Sequence, residues 1–373
     1  MTLVFDGTVD LGRFVLDARF DCLPGETIAL VGANGSGKST ALNTLAGLLR
    51  MSSGSLEMDG AVLDRSGAGS WIPPEARDVG VVFQDLLLFP HMSIRDNVAY
   101  GPRRKGTPVA EARAIASEWL ERFGVDDLAD ARPRSLSGGQ AQRVALARTL
   151  AQSPRLLLFD EPLSALDSAT RLQVRSELHK HLQQFDGFTV LVAHDVVDVL
   201  VLADRVIVLD EGRPAQISEP AELERRPRTP YAAALVGTNL LRAYRRGPVI
   251  EFGDGATVYP GASGKDGPVD IVIDPRHVSV AAVDSVGGAG SWIAPITGIE
   301  AAGNELHIRV GGVAPIAARA SLESIRHLHL SPGSMVQVVV DPAGLDVFDD
   351  LSSGLGCSTV LDHQATVRPR GRI

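Results

Sequence analysis

TIALVGANGSGKSTALNTLAGLL, residues 27–49, decides the fold. The opening TIALVG is apolar and β-rich, the composition of a strand buried on both faces. From Ser39 onward the apolar residues recur at helical spacing and close near Ser52-Ser53-Gly54. Between strand and helix lies Gly32 to Ser39, GANGSGKS, a complete G-x-x-x-x-G-K-[ST] phosphate-binding loop in the setting such a loop requires. Gly35 and Gly37 let backbone N–H groups turn inward, where a Cβ would block an anion or forbid the backbone angles. The following helix aims its positive end at a β-phosphate. Lys38 is expected to span β- and γ-phosphates and the Ser39 hydroxyl to bind Mg²⁺. Gly32, Asn34, Gly35, Gly37, Lys38, Ser39 and Thr40 are therefore the expected nucleotide contacts on this loop.

Three further strand ends carry chemistry. Leu156 to Glu161, LLLFDE, is an apolar strand ending in adjacent acids, which are costly there unless a cation or proton transfer occupies them. Alternation along the strand is expected to aim Asp160 at Mg²⁺ and Glu161 at an attacking water. Gln84 closes VGVVFQ and His194 closes VLVAH, both at carboxyl ends of strands, where open α/β sheets bind ligands. Gln84 is expected to reach Mg²⁺ or the water, and His194 the γ-phosphate. Leu136 to Gln140, LSGGQ, starts a helix with Ser137 as N-cap, and its paired glycines expose N–H groups to a second anion.

The rest of the chain frames these sites. At 373 residues it is too long for one ordinary core, and 45% apolar content is ample for two. The net charge of −9 argues against a large basic face for nucleic acid. Cys22 and Cys357 are too few and too distant for a disulfide framework or metal cluster. MTLVFDGTVDLGRF is no secretory signal, and the most apolar stretch, Val190 to Leu209, is broken by His194, Asp195, Asp198, Asp204 and Arg205. Strands and helices alternate up to about Gly237, implying a mostly parallel sheet covered on both faces. They include helices over VAEARAIASEWLERFG and from about Ser168 to Phe185. Beyond Gly237, short Val/Ile-rich runs such as DIVIDP, ELHIRV and SMVQVVVD argue a small all-β barrel. The expected organisation is an α/β phosphate-loop cassette with a helical subdomain over residues 1–235, an OB-like accessory barrel over 236–350, and a disordered tail over 351–373.

Loop, glutamine, LSGGQ, LLLFDEP, SALD and histidine stand in the order of ATP-binding-cassette ATPases, and the resemblance covers roughly residues 1 to 235. It implies ATP and Mg²⁺ as cofactors and a homodimer in which each LSGGQ completes the other subunit's site. By that resemblance Ser137, Gly139 and Gln140 act across the interface, Asp167 couples the two sites and Glu161 is the general base. The family stacks adenine on an aromatic residue upstream of the loop; Phe14 is the nearest candidate, and a core role would explain it equally. The segment DLLLFPHMSIRDNVAYGP resembles the groove that grips a helix of an integral membrane permease. That implies a peripheral place at the cytoplasmic face of the cell membrane.

DIVIDPRHVS and Ile299 to Val340 resemble the accessory barrel of bacterial importer ATPases, and the cassette resembles those of molybdate importers. Ser321, Ser324, Leu328, Leu330 and Gly333 resemble the spacing of an oxyanion-binding barrel, although Ser321 serves equally as a plain helix cap. Molybdate import, with an extracytoplasmic binding protein as indirect partner, is the expected function. Sulfate, spermidine, iron and sugar importers use similar subunits, and a soluble ATPase outside transport is the remaining alternative.

Overall fold

The computed structural model describes residues 1–67, 69–252, 257–260, 264–283, 290–302, 305–312, 315–320 and 329–349, excepting the side chains of 252, 257–260, 301–302, 305, 342 and 349. The expected tail over 351–373 lies outside these residues, as do Ser321, Ser324 and Leu328. The chain divides into two compact units, Met1–Val236 and Gly237–Ile373.

In the first unit, β1 (Leu3–Asp10) and β2 (Val15–Cys22) form an antiparallel hairpin. β3 (Thr27–Val31) enters the central sheet, and the phosphate loop leads into α1 (Lys38–Ala46). β4 (Ser53–Met58), β5 (Ala61–Arg65) and β6 (Ser70–Trp71) return to the hairpin, giving a five-stranded sheet of order β2-β1-β4-β5-β6. After β7 (Val79–Val82) come three helices, α2 (Ile94–Arg104), α3 (Val109–Arg122) and α4 (Gly138–Ala151). β8 (Leu156–Asp160), α5 (Ser168–Leu182), β9 (Phe188–Val192), α6 (Val196–Leu202) and β10 (Arg205–Asp210) then alternate. β11 (Arg213–Ser218), α7 (Pro220–Arg225) and α8 (Pro230–Val236) close the unit. The central sheet has order β11-β10-β3-β9-β8-β7 and is parallel except for β11.

Why the central strands read as unbroken apolar runs is visible in their two faces. Ala29, Val31, Leu157, Phe159, Leu191, Val206 and Val208 face one core, with helices α2 to α6. Ile28, Leu30, Leu156, Leu158, Val190, Ile207 and Leu209 face a second, shared with α1 and the antiparallel sheet. Period-two alternation sends neighbours to opposite cores, so these positions are apolar on both faces, with Thr27 and Thr189 as buried polar exceptions near the strand starts. The covering on one face is thus partly a second sheet rather than helices alone. Arg77, 1% exposed, caps the far end of α1, donating to Thr44 O (2.8 Å) and Leu45 O (3.1 Å). A cation at a helix carboxyl end is favourable, and here it anchors the helix whose other end is the phosphate loop.

Several sequence-based bounds shift. VGVVFQ stops being strand at Val82, because β7 is the edge strand and its register on β8 ends at Phe159; Gln84 sits in the turn beyond. VLVAH ends at Val192, and the helix expected up to Phe185 ends at Leu182. DLLLFPHMSIRDNVAYGP contains a helix, α2, begun by Ser93, whose side chain accepts from Asp96 N.

The described residues of the second unit are mainly β-strands, with short 3-10 turns at Pro275–His277 and Pro342–Gly344. β12 (Asn239–Arg246), β13 (Val249–Phe252), β14 (Thr257–Pro260) and β15 (Gly267–Ile273) join β21 (Leu345–Asp349) in one sheet of order β14-β13-β12-β15-β21. β16 (Val278–Ala281), β17 (Ser291–Ala302), β18 (Glu305–Val310), β19 (Ile316–Ala320) and β20 (Met335–Val340) form the other, of order β16-β20-β17-β18-β19. Its ends β16 and β19 approach one another, so this sheet is a nearly closed barrel. Val269, Ile271, Ile296, Ile308, Val336 and Val338 share the core between the sheets. Buried Asn239 ties them together, donating to Ile273 O (3.2 Å) and Ala317 O (2.9 Å) and accepting from Ala317 N (2.6 Å).

Candidate active site

Sheet register assembles the site. Leu30 on β3 and Asp160 on β8 both pair with Val192 on β9, and Val82 on β7 pairs with Phe159. The phosphate loop, His194, the Asp160-Glu161 pair and Gln84 therefore leave one edge of four adjacent parallel strands, the carboxyl edge at which such sheets bind ligands.

The loop is shaped for an anion. Gly35 (φ 81°) and Gly37 (φ 108°) hold left-handed backbone that other residues adopt only with strain. At Gly35 a Cβ would meet nothing, so the demand there is conformational; at Gly37 it would also lie 2.9 Å from Phe14 Cζ. Half-buried Phe14 thus stands against the helix end of the loop. No side chain caps α1, so its first N–H groups are left for a ligand. Ser36 Oγ is buried without a partner. Asn34, Gly35 and Ser39 are exposed while Lys38 is buried, and the Lys38 ammonium donates to Gly32 O (2.7 Å) and Ala33 O (2.9 Å). Burial lowers the Lys38 pKa, opposed by the charges of Glu161 and Asp160. A buried ammonium, uncapped helix amides and an orphaned hydroxyl together suit a polyphosphate.

Asp160 ends β8, with its pKa raised by burial and then by Glu161, against Lys38 and His194. A carboxylate so placed suits a divalent cation shared with phosphate oxygens. Glu161 does not continue the strand. Its φ of 50° is left-handed, so a turn rather than strand alternation sets its direction, correcting the sequence argument. That conformation costs roughly 1–2 kcal/mol for a residue with a Cβ. Donors to its carbonyl offset the cost: Ser164 N (3.2 Å), Ser164 Oγ (3.0 Å) and Gln142 Nε2 (3.0 Å). Glu161 Oε1 lies 2.9 Å from His194 Nε2. A cavity of about 360 Å³ opens beside this pair, walled by Arg171, Asp195 and Asp198. Arg171 meets Asp195 at 3.1 Å and Arg175 meets Asp198 at 2.6 Å, tying α5 to the start of α6.

LSGGQ opens α4 as a reciprocal cap: Ser137 Oγ accepts from Gln140 N (3.3 Å), and Gln140 Oε1 accepts from Ser137 N (2.9 Å). A Cβ on Gly139 would lie 3.4 Å from Ala165 O and Leu166 Cδ2, so this helix end rests on the 165–166 turn. Asp167 caps α5, accepting from Thr170 N (3.0 Å). The chain thus brings together Lys38, Asp160, Glu161 and His194, and sets Ser137, Gly139, Gln140 and Asp167 at two neighbouring helix starts.

Three residues escaped the sequence reading. Gln142, 2% exposed, spans from α4 to Glu161 O and also accepts from Ala165 N (2.9 Å). Its spacing of four from buried Leu146 put a polar group on an apolar helix face, the one signal available. Arg148 donates to Leu86 O (2.8 Å) and Leu87 O (2.7 Å) in the loop after Gln84. Tyr231 places its hydroxyl 3.4 Å from His194 Nδ1.

Comparison with known proteins agrees with this geometry. Residues 15–164 match the ABC transporter family and residues 291–347 the TOBE domain. The chain is similar to the molybdenum import ATP-binding protein of Mycobacterium tuberculosis, 38% identical over 336 residues, 86% of this chain and 90% of the relative. It is also similar to the sn-glycerol-3-phosphate import ATP-binding protein of Cereibacter sphaeroides, 34% identical over 341 residues, 88% and 91% of the two chains. The sulfoquinovosyl glycerol transport ATP-binding protein of Agrobacterium fabrum is 34% identical over 352 residues, 90% of this chain and 93% of its own. Among solved structures, a dimeric ATP-binding cassette in a post-hydrolysis state with ADP and Pi superposes with a TM-score of 0.53 and 28% identity, covering 59% of this chain and 99% of that one.

Proposed function

Because the chain belongs to the ABC transporter family of ATP-binding proteins, we propose that it drives molybdate import by ATP-dependent closure of a homodimer on a membrane permease. It is the ATP-binding subunit of an importer, and ATP hydrolysis is the family's reaction. The observation that carries the catalytic reading is Glu161 and His194 in contact at 2.9 Å beside a buried Lys38. Lys38 and the α1 amides bind the phosphates. Asp160, with Ser39 and Gln84, would hold Mg²⁺, whose charge neutralises that developing on the phosphates. Glu161 takes the proton of the attacking water, and His194 orients the γ-phosphate. Gly32, Asn34, Gly35, Gly37 and Thr40 complete the cradle, while Ser137, Gly139 and Gln140 of one copy meet the ATP of the other. Asp167 couples the two sites.

Among the described residues no helix is long and apolar enough to cross a membrane. The proposed importer role would place the chain peripherally at the cytoplasmic face, docked on the permease through the segment around α2. The molybdenum import relative supports the cargo; the glycerol phosphate relatives supply the competing assignment. An oxyanion site at the second unit remains a proposal: Ser321, Ser324 and Leu328 lie outside the described residues, Leu330 packs on the barrel core, and Gly333 is left-handed at φ 92°.

Glu161→Gln should leave ATP affinity within about twofold, cut turnover by at least about a hundredfold and trap a dimer on ATP, read by steady-state hydrolysis and light scattering. Normal turnover would remove Glu161 as base. For the cargo, the chain assembled with its permease and binding protein is assayed for stimulated hydrolysis with molybdate, sulfate and glycerol 3-phosphate. Stimulation by glycerol 3-phosphate and not molybdate would overturn the molybdate assignment.

A further inference from the structure

We propose that Tyr231 is a positioning residue for His194, its phenol donating to Nδ1 and so holding the imidazole in the tautomer with the proton on Nε2. The backbone that carries Tyr231 is fixed by buried polar contacts. Gln216 on β11, 3% exposed, donates to Arg226 O (3.0 Å) and accepts from Arg228 N (2.9 Å). Thr229 then starts α8, its Oγ1 accepting from Ala232 N (3.0 Å). One residue past Thr229-Pro230, the half-buried ring of Tyr231 packs on the helix-side core of the cassette.

The phenol oxygen has two neighbours with opposite demands. The Gly32 amide at the mouth of the phosphate loop bears on it electrostatically, opposing the rise in the phenol pKa that burial causes. In the proposed arrangement its own proton goes to His194 Nδ1, 3.4 Å away. On the far side of the ring, Nε2 lies 2.9 Å from Glu161 Oε1. A carboxylate only accepts, so Nε2 must carry the hydrogen of that bond. The carboxylate contact selects the tautomer with the proton on Nε2, since the other would set a lone pair against a carboxylate; the Tyr231 hydroxyl matches that choice by offering its proton to the bare Nδ1. His194 is thereby left with an N–H facing the catalytic centre, the form needed to donate to an anionic oxygen arriving there. Tyr231, His194 and Glu161 make one chain of contacts linking α8 to the acid.

The kinetic part of the inference rests on the ATPase reading; the tautomer does not. The test uses the full chain with ¹⁵N-labelled histidine, the His194 signals being assigned by comparison with His194→Asn. Nucleotide-free wild type should show Nε2 in the protonated range and Nδ1 in the unprotonated range. In Tyr231→Phe, which keeps the ring and leaves the Glu161 contact as the remaining constraint, both nitrogens should shift part of the way toward tautomer-averaged values. With ATP, kcat should fall about threefold to tenfold, the scale of one hydrogen bond, with KM within about twofold. A wild-type protein with the proton on Nδ1, or Tyr231→Phe shifts identical to wild type, overturns the proposal. A chain that hydrolyses no ATP would instead refute the functional reading, with the nucleotide-free spectra still deciding the tautomer.

Discussion

Arg148 offers a quantitative test of how the loop after β7 is held. Leu86 (φ 58°) and Leu87 (φ 44°) are consecutive left-handed residues bearing side chains, together costing about 2–4 kcal/mol. Arg148 donates to the carbonyls of both, at 2.8 and 2.7 Å, while its guanidinium lies 5.5 Å from the Phe89 ring centre. Hydrogen bonds from a charged donor contribute about 1.5–3 kcal/mol each, so the clamp supplies about 3–6 kcal/mol. Arg148→Ala loses the clamp, and the loop then relaxes and recovers its strain. The net destabilisation is about 1–2 kcal/mol, or a Tm about 2–8 °C lower for a unit of this size. The larger effect is local. Amides of residues 84–90 should exchange with deuterium about fivefold to thirtyfold faster, the same 1–2 kcal/mol read as opening. Since Gln84 sits on this loop, kcat should drop while ATP affinity, set by the separate phosphate loop, stays put. Arg148→Lys, with a compact ammonium in place of a planar fork, should fall between. Unchanged exchange over residues 84–90 together with unchanged turnover in Arg148→Ala would refute the clamp.

Two further outcomes follow from named contacts. Gln142→Leu removes both side-chain bonds, to Glu161 O and from Ala165 N, and should lower stability by about 1–3 kcal/mol and kcat severalfold. Gln142→Glu keeps an acceptor for Ala165 N but sets a carboxylate against the Glu161 carbonyl, so chemical denaturation and hydrolysis assays should find it no better than Leu; a silent Glu variant would show that the Glu161 bond is idle. Burial raises the Asp160 pKa, so its protonated form favours the fold below the ordinary carboxylate value, and that favour is lost as pH rises through the raised one. Without nucleotide, Asp160→Asn should therefore melt above wild type at pH 7, the gap closing toward pH 4; equal melting curves at pH 7 would remove the buried-charge penalty.

What the sequence disclosed depended on distance along the chain. The phosphate loop, LLLFDE and LSGGQ are runs of adjacent residues, and each is bound by a single strand or helix end, so its chemistry is local. The α/β class was equally plain, since β3, β8, β9 and β10 each supply apolar residues to two cores at once. Gln142 reaches a partner 19 residues away, Tyr231 one 37 away, and Arg148 carbonyls 61 and 62 away. Contacts of that span are created by packing, and no motif records them. The left-handed turn at Glu161 was hidden for a related reason: nothing in the letters DE says that the strand ends between them. The helix α2 was legible after all, since Ser93 followed by Asp96 is a capping signal, but Gly101-Pro102 near its end reads as a break.

The reciprocal cap at Ser137 and Gln140 has an outcome for assembly. Each side chain spends an oxygen lone pair on its own helix, while the Ser137 hydroxyl proton, the two Gln140 amide protons and the N–H groups of Gly138 and Gly139 are not used by that cap. The phosphate loop, with its uncapped α1 and its ammonium, is likewise a rim of hydrogens. If two copies meet as the proposed function has it, donor rim faces donor rim, and a polyanion between them is what would join the two. On that reading the empty copies lack an acceptor to share, and the nucleotide itself would be the glue.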